Sequence, residues 1–188
     1  AADGRLRLRN VLQHPFFIRY PVIIGDSKGA TGVMTELSLL SSTGNVLGVV
    51  KPILPDVREF IRGSLHMLTR LQTYENYGIR LPDISILINC IENTLLDREA
   101  MDGLAAIINQ KHYDASALGN RDVYRLLNTR IGALDIFKLG HVRQQPVHRL
   151  EYKTRRKGPA AAVTMHDLAC ELFPEWKKRF SDVLSREV

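Results

Sequence analysis

Along this chain the spacing of apolar residues changes twice. Arg5-Leu-Arg-Leu-Arg9 alternates, and Phe16 to Ile24 is dense in aromatic and β-branched side chains. Both features favour pleated strands. Gly25 to Ala30 punctuates the stretch as a turn. Thr31 to Leu40 and Val46 to Val50 then read as a second strand pair around a Ser41–Asn45 turn, and Pro52 and Pro55 close the region. From Asp56 the period lengthens. Val57, Phe60, Ile61, Leu65, Leu68 and Leu71 recur at helical spacing, with Asp56 as N-cap and Glu59 three positions on. After a loop from Tyr74 to Pro82, Asp83–Leu96 and Arg98–Asn109 read as two further helices, both apolar enough to sit in the core.

The third regime begins near Leu118-Gly119. A long helix is expected over Arg121–Leu139, closed by Gly140. His148–Thr154 and Ala160–Met165 read as two short extended runs around the basic turn Arg155-Arg156-Lys157-Gly158, which is a hairpin pattern. A last helix is expected from Met165 to Leu184, interrupted near Pro174, with Trp176 and Phe180 packing inward. The fold class that follows is α+β. A β-rich N-terminal part (residues 1–55) precedes a mainly helical body (residues 56–188) that ends in the hairpin unit and a C-terminal helix.

Composition narrows the class. The chain has 188 residues, 45% of them apolar, enough for a real core in one generous domain or two small ones. No apolar run is long enough to span a bilayer, and the first ten residues have no hydrophobic centre, so neither a membrane partner nor a secretory leader is expected. Cys90 and Cys170 are far apart and each lies in an apolar, helical context. Two lone thiols on core faces fit a reducing compartment, cytoplasmic or nuclear, better than a disulfide.

Charge changes the picture most. The net charge is +6, and residues 1–120 contribute nothing to it, with twelve Lys/Arg against twelve Asp/Glu. Residues 121–188 carry fourteen against eight. Between Lys138 and Gly158, Lys138, Arg143, Arg149, Lys153, Arg155, Arg156 and Lys157 face only Glu151. Such a concentrated positive field gathers polyanions, of which nucleic acid is the commonest. On the expected 121–139 helix, Val123, Leu127, Ile131 and Leu134 share one side. Arg121, Arg125, Asn128 and Gly132 share the other, and Arg and Asn are the side chains whose forks read guanine and adenine edges.

A helix preceded by a tight turn and followed by a basic hairpin is the order of a winged helix-turn-helix. The Leu118-Gly-x4-Tyr-Arg-Leu-Leu127 run resembles the turn and recognition helix of that superfamily. Leu139-Gly-His-Val-Arg143 resembles the run that leads into its wing. The resemblance covers about residues 99–166. It implies that Arg121, Arg125 and Asn128 enter a major groove and that Arg155, Arg156 and Lys157 straddle phosphates, with Arg143, Arg149 and Lys153 adding to the basic surface. The expected function is then duplex-DNA binding, as in a transcriptional or replication regulator. The N-terminal part would serve dimerisation, ligand sensing or partner contact. The rival reading is a non-enzymatic assembly subunit of a larger nucleoprotein or secretion complex that uses the same basic surface.

Other signals carry less. Gly25-Asp-Ser27 resembles the nucleophile block of the GDSL hydrolases, but the Asp-x-x-His pair of that family is absent, so a turn is the better reading. Gly25–Gly32 lacks the Gly-Lys-Ser/Thr of a phosphate loop. His166 and Cys170 stand at i,i+4 spacing without visible further ligands, and no cofactor or catalytic set is expected.

Overall fold

Ile84-Ser-Ile-Leu-Ile-Asn-Cys-Ile91 is almost uninterruptedly apolar, and the fold is built around it. In the computed structural model, which describes residues 4–27, 32–109, 118, 122–154 and 161–178, this segment is a strand. It is the middle strand, β2 (Ile84–Ile91), of a three-stranded parallel sheet flanked by β1 (Val46–Val50) and β3 (Tyr124–Gly132), in the order β1-β2-β3. A central parallel strand is covered on both faces, so it reads as a continuous hydrophobic run rather than an alternating one.

The connections are helical. Helix α4 (Leu54–Leu71) links β1 to β2, and α5 (Leu95–Asn109) links β2 to β3. Two successive crossovers stepping the same way across a sheet place their helices on one face. The main core has that composition: Val57, Ile61 and Leu68 of α4 and Met101, Leu104 and Ile108 of α5 pack with Ile84, Ile86 and Ile88 of β2. Gly48 of β1 leaves room there for the Phe60 ring, which a Cβ at that position would overlap. Tyr124 ties β3 to α4, its hydroxyl donating to the Ile61 carbonyl at 3.0 Å and lying 2.8 Å from Ser64 Oγ.

On the opposite face a smaller core forms from Leu87, Leu127 and Ile131, covered by Leu168 of α8 (Ala161–Leu172). Between β3 and α8 the chain makes two short helices, α6 (Asp135–Arg143) and α7 (Val147–Thr154). Before β1 stand α1 (Arg7–Leu12), α2 (Pro15–Ile18) and α3 (Val33–Ser41). Leu39 and Leu40 of α3 enter the main core. Glu36 of α3 is 3% exposed and bound by Arg70 Nη2 at 3.0 Å, with Arg5 Nε at 3.9 Å. Arg9 Nη1 donates to the Leu40 carbonyl at 2.9 Å, which fastens α1 to α3.

This architecture corrects the expected one at several points. The chain is α+β, but the strands lie mid-chain and not in an N-terminal β-rich segment. Residues 7–12, 15–18 and 33–41 are helical, and of the expected N-terminal strands only Val46–Val50 forms among the described residues. That strand is hydrogen-bonded to β2, so the sheet runs across position 55. The Asp83–Leu96 helix is instead β2 and the start of α5, because an apolar run with no polar stripe fits a strand buried on both faces. The Arg121–Leu139 helix is β3 followed by α6. The runs expected as a hairpin are α7 and the first turns of α8, with residues 155–160 outside the described residues. The C-terminal helix is interrupted where expected: α8 stops at Leu172, Pro174 opens a short turn in which Phe173 stacks on Trp176, and Lys177 and Lys178 are helical again; Phe180 lies outside the described residues. Cys90 is not on a helical core face: it is exposed near the end of β2. Among the described residues no helix is long and apolar enough to cross a membrane.

Candidate functional site

The cationic residues singled out by sequence separate into two groups. Arg125 is the second residue of β3, exposed, with its Nη2 at 3.4 Å from Ser85 Oγ on β2. Asn128 also lies on β3, and its polar groups are engaged. Its backbone N–H donates to Glu171 Oε1 at 2.7 Å and its Nδ2 to the same oxygen at 3.2 Å, while the Thr129 N–H donates to Glu171 Oε2 at 2.8 Å. The register explains why. Ile86 faces Leu126 but Ile88 faces Arg130, so β3 bulges and its N–H groups there leave the ladder. Glu171, on α8, supplies the acceptors. Burial raises its pKa, but the amide donors of Asn128 and Thr129, helped by the nearby Arg125 charge, outweigh that and hold the carboxyl below its ordinary value.

The second group belongs to the α6–α7 hairpin. Gln144 adopts a left-handed conformation (φ 49°) that ends α6, and the Gln145 N–H donates to the Gly140 carbonyl at 3.1 Å. Gly140 is buried, and a Cβ on it would stand 3.2 Å from both the Gln145 carbonyl and a Val147 methyl. The absence of a side chain is what lets α7 fold back so closely. Leu150 is the buried anchor of α7. Its neighbour Glu151 turns to the start of α8, accepting the Ala161 N–H and, at 2.8 Å, the Ala162 N–H. Those are unpaired donors at the positive end of a helix, so they hold a carboxylate well.

The outward surface of the hairpin is left basic. Arg143 closes α6 and Arg149 lies on α7; both are exposed and have no ion pair among the described residues. Lys153 is four residues beyond Arg149 on the same helix. Lys138 differs, because its ammonium pairs with Asp135 at 3.4 Å. Arg121, Arg155, Arg156 and Lys157 lie outside the described residues.

Helix α8 acts as a ruler between the two groups. Its first residues hold Glu151 of α7, and its Glu171, ten residues or about 15 Å further on, holds the β3 bulge beside Arg125. Arg125 and Asn128 stand on a strand rather than on the groove-sized helix expected for them. Sequence reasoning missed Glu151 and Glu171 as organisers. The one signal for Glu151 was that it is the single carboxylate in the basic segment.

Two further places hold polar groups. A cavity of about 510 Å³ lies at the amino ends of the strands, lined by Asn45, Asp83, Ser85, Asn109, Asp122 and Arg125. Its charges are engaged, Asp83 by Arg80 at 3.5 Å and Arg125 by Ser85. Open parallel sheets hold ligands at the opposite, carboxyl edge. There the Asp97 carboxylate accepts the Glu92 and Thr94 N–H groups, and Thr94 Oγ1 accepts the Asp97 N–H, a reciprocal cap on α5. The Thr94 amide is the main cause holding the Asp97 carboxyl below its usual range. Ser27 is exposed, and among the described residues no hydrogen bond joins it to a histidine. Among the same residues no group of three or more His, Cys, Asp or Glu could hold a metal ion.

The chain matches no protein-family model, no curated protein and no solved structure.

Proposed function

We propose that this protein binds nucleic acid, duplex DNA first, through the phosphate backbone at the α6–α7 hairpin and without reading base sequence. It acts as a binding module and not as an enzyme. The observation that carries the reading is the disposition of charge on that hairpin. Its one carboxylate not paired along its own helix, Glu151, is turned inward to the first N–H groups of α8, which leaves Arg143 and Arg149 uncompensated on the outside. Lys153 continues the same helix, and the sequence places Arg155, Arg156 and Lys157 directly after it. Exposed guanidinium groups in such a series bind successive phosphates bidentately and release condensed counterions. Among the described residues nothing favours base reading. Asn128, the residue best suited to an adenine edge, has its carboxamide on Glu171.

A mobility-shift comparison at low salt tests the reading. Random duplex DNA, single-stranded RNA and heparin should all be retained, and no duplex sequence should be preferred over another. Absence of any shift with either nucleic acid at low salt would overturn it. A strong preference for one duplex sequence would overturn the backbone-only mode.

A further inference from the structure

We infer that the N-terminal helical cap, the part before β1 that carries α1, α2 and α3, is a docking surface for an anionic lipid bilayer. Between Gly4 and Gly25 the chain carries four arginines and no carboxylate. Over the same stretch, and onto the start of α3, large apolar side chains face solvent. Phe16, Ile18, Tyr20, Ile24, Val33 and Met34 are all exposed, Ile18 by 68% and Ile24 by 88%. Such side chains scattered singly are ordinary, but this many along one short stretch mark an interaction surface.

The chemistry selects the partner. Phe16 packs edge-on against Phe17 and Tyr20, with centroids 5.1 and 6.0 Å apart. The Arg19 guanidinium lies over both the Phe16 and Tyr20 rings, at 4.2 and 5.2 Å, and donates to the Tyr20 hydroxyl at 3.2 Å. Aromatic rings and guanidinium groups side by side, flanked by aliphatic side chains, suit the headgroup boundary. There rings sit at the interface, arginine meets lipid phosphate, and isoleucine and methionine enter the acyl region. A nucleic acid would satisfy Arg19 and the rings but offers nothing to Ile18 and Ile24. Glu36 takes up Arg5 and the Leu40 carbonyl takes up Arg9, but Arg7 is exposed without an ion pair among the described residues, and Arg19 stands beside the exposed rings. A peripheral contact of this kind needs no spanning helix. It departs from the expectation, drawn from apolar run length alone, that no membrane takes part.

Sedimentation with sucrose-loaded vesicles tests this. The full chain is mixed with vesicles of phosphatidylcholine alone or of an equimolar mixture with phosphatidylglycerol. Wild type should partition onto the mixed vesicles and little onto phosphatidylcholine. The Ile18→Ser/Ile24→Ser double variant should lose at least about tenfold in partitioning, since each change withdraws a butyl-sized group from the acyl boundary. Its melting temperature should be unchanged, because both side chains are already exposed. Arg19→Gln, a second and milder variant, should also weaken binding to mixed vesicles, whereas Arg143→Ala/Arg149→Ala should not. That last pair separates this surface from the α6–α7 hairpin. The inference is overturned if wild type stays in the supernatant with both vesicles. It is overturned equally if the isoleucine variant partitions like wild type, or if that variant instead loses self-association in the ultracentrifuge, which would assign the surface to a second copy.

Discussion

Glu171 is the clearest place to test how the second face of the sheet is held. One carboxylate accepts three hydrogen bonds, two of them from N–H groups that the β3 bulge removes from the ladder. In Glu171→Ala those donors lose their acceptor. Hydrogen bonds to a charged group contribute roughly 1.5–3 kcal/mol each when sheltered, but Asn128 is exposed and Glu171 only half-buried, so water replaces part of the loss. The expected net destabilisation is about 2 kcal/mol, which for a chain of this size lowers the melting temperature by roughly 4–8 °C. Glu171→Gln keeps one acceptor oxygen and should cost about half as much. The pH dependence has a definite sign. The folded carboxyl titrates below the ordinary 4.5, so its contribution is present above that value and is lost as pH falls through the lowered folded value. Urea-unfolding midpoints of wild type and Glu171→Gln should therefore differ at neutral pH and converge in acid. If Glu171→Ala unfolds within about 0.5 kcal/mol of wild type at neutral pH, the carboxylate is not what secures the bulge.

Two other perturbations probe the rest of the scaffold. Gly48→Ala drives a methyl group into the Phe60 ring and should cost about 1–3 kcal/mol in urea unfolding; most of that cost should vanish in a Phe60→Ala background, and an additive double variant would contradict the close approach of β1 and α4. Glu36→Ala leaves Arg70 without its partner beneath the N-terminal cap. Because the Arg70 side chain is 57% exposed, the expected cost is about 1–3 kcal/mol, below that of breaking a fully buried pair, and an unchanged melting temperature would show that the cap is not held there.

How far the sequence disclosed this fold depends on where each segment lies. Helix α4 was legible because only one face is buried: Val57, Ile61, Leu68 and Leu71 repeat at helical spacing against polar neighbours. Strand β1 was legible from its β-branched residues. Strand β2 was not, since Ile84, Ile86, Leu87 and Ile88 are all buried and no polar period remains to tell strand from helix. Strand β3 misled for a different reason. Leu127 and Ile131, which both face the second core, stand four positions apart, a spacing that a strand and one helical turn share. In the N-terminal cap, Arg5-Leu-Arg-Leu-Arg9 alternates by sequence, yet Arg9 is drawn inward to the Leu40 carbonyl. That contact depends on a partner thirty-one positions away and cannot be read locally. The charge surplus was legible as a composition, but its division between the β3 end and the α6–α7 hairpin is a product of the fold. Glu171 looked like ordinary helix surface and Glu151 lay in a run expected to be extended, because most of the N–H groups they bind are backbone atoms, which leave no mark in the sequence.

The most direct measurement of the proposed function is the salt dependence of binding to a random DNA duplex, for wild type and for Arg143→Ala/Arg149→Ala. The logarithm of the affinity should fall linearly with the logarithm of salt, and the double variant should have a slope shallower by about two units, near 0.9 for each lost phosphate contact. A double variant that binds with the wild-type slope and affinity at every salt concentration would contradict the assignment of the α6–α7 hairpin.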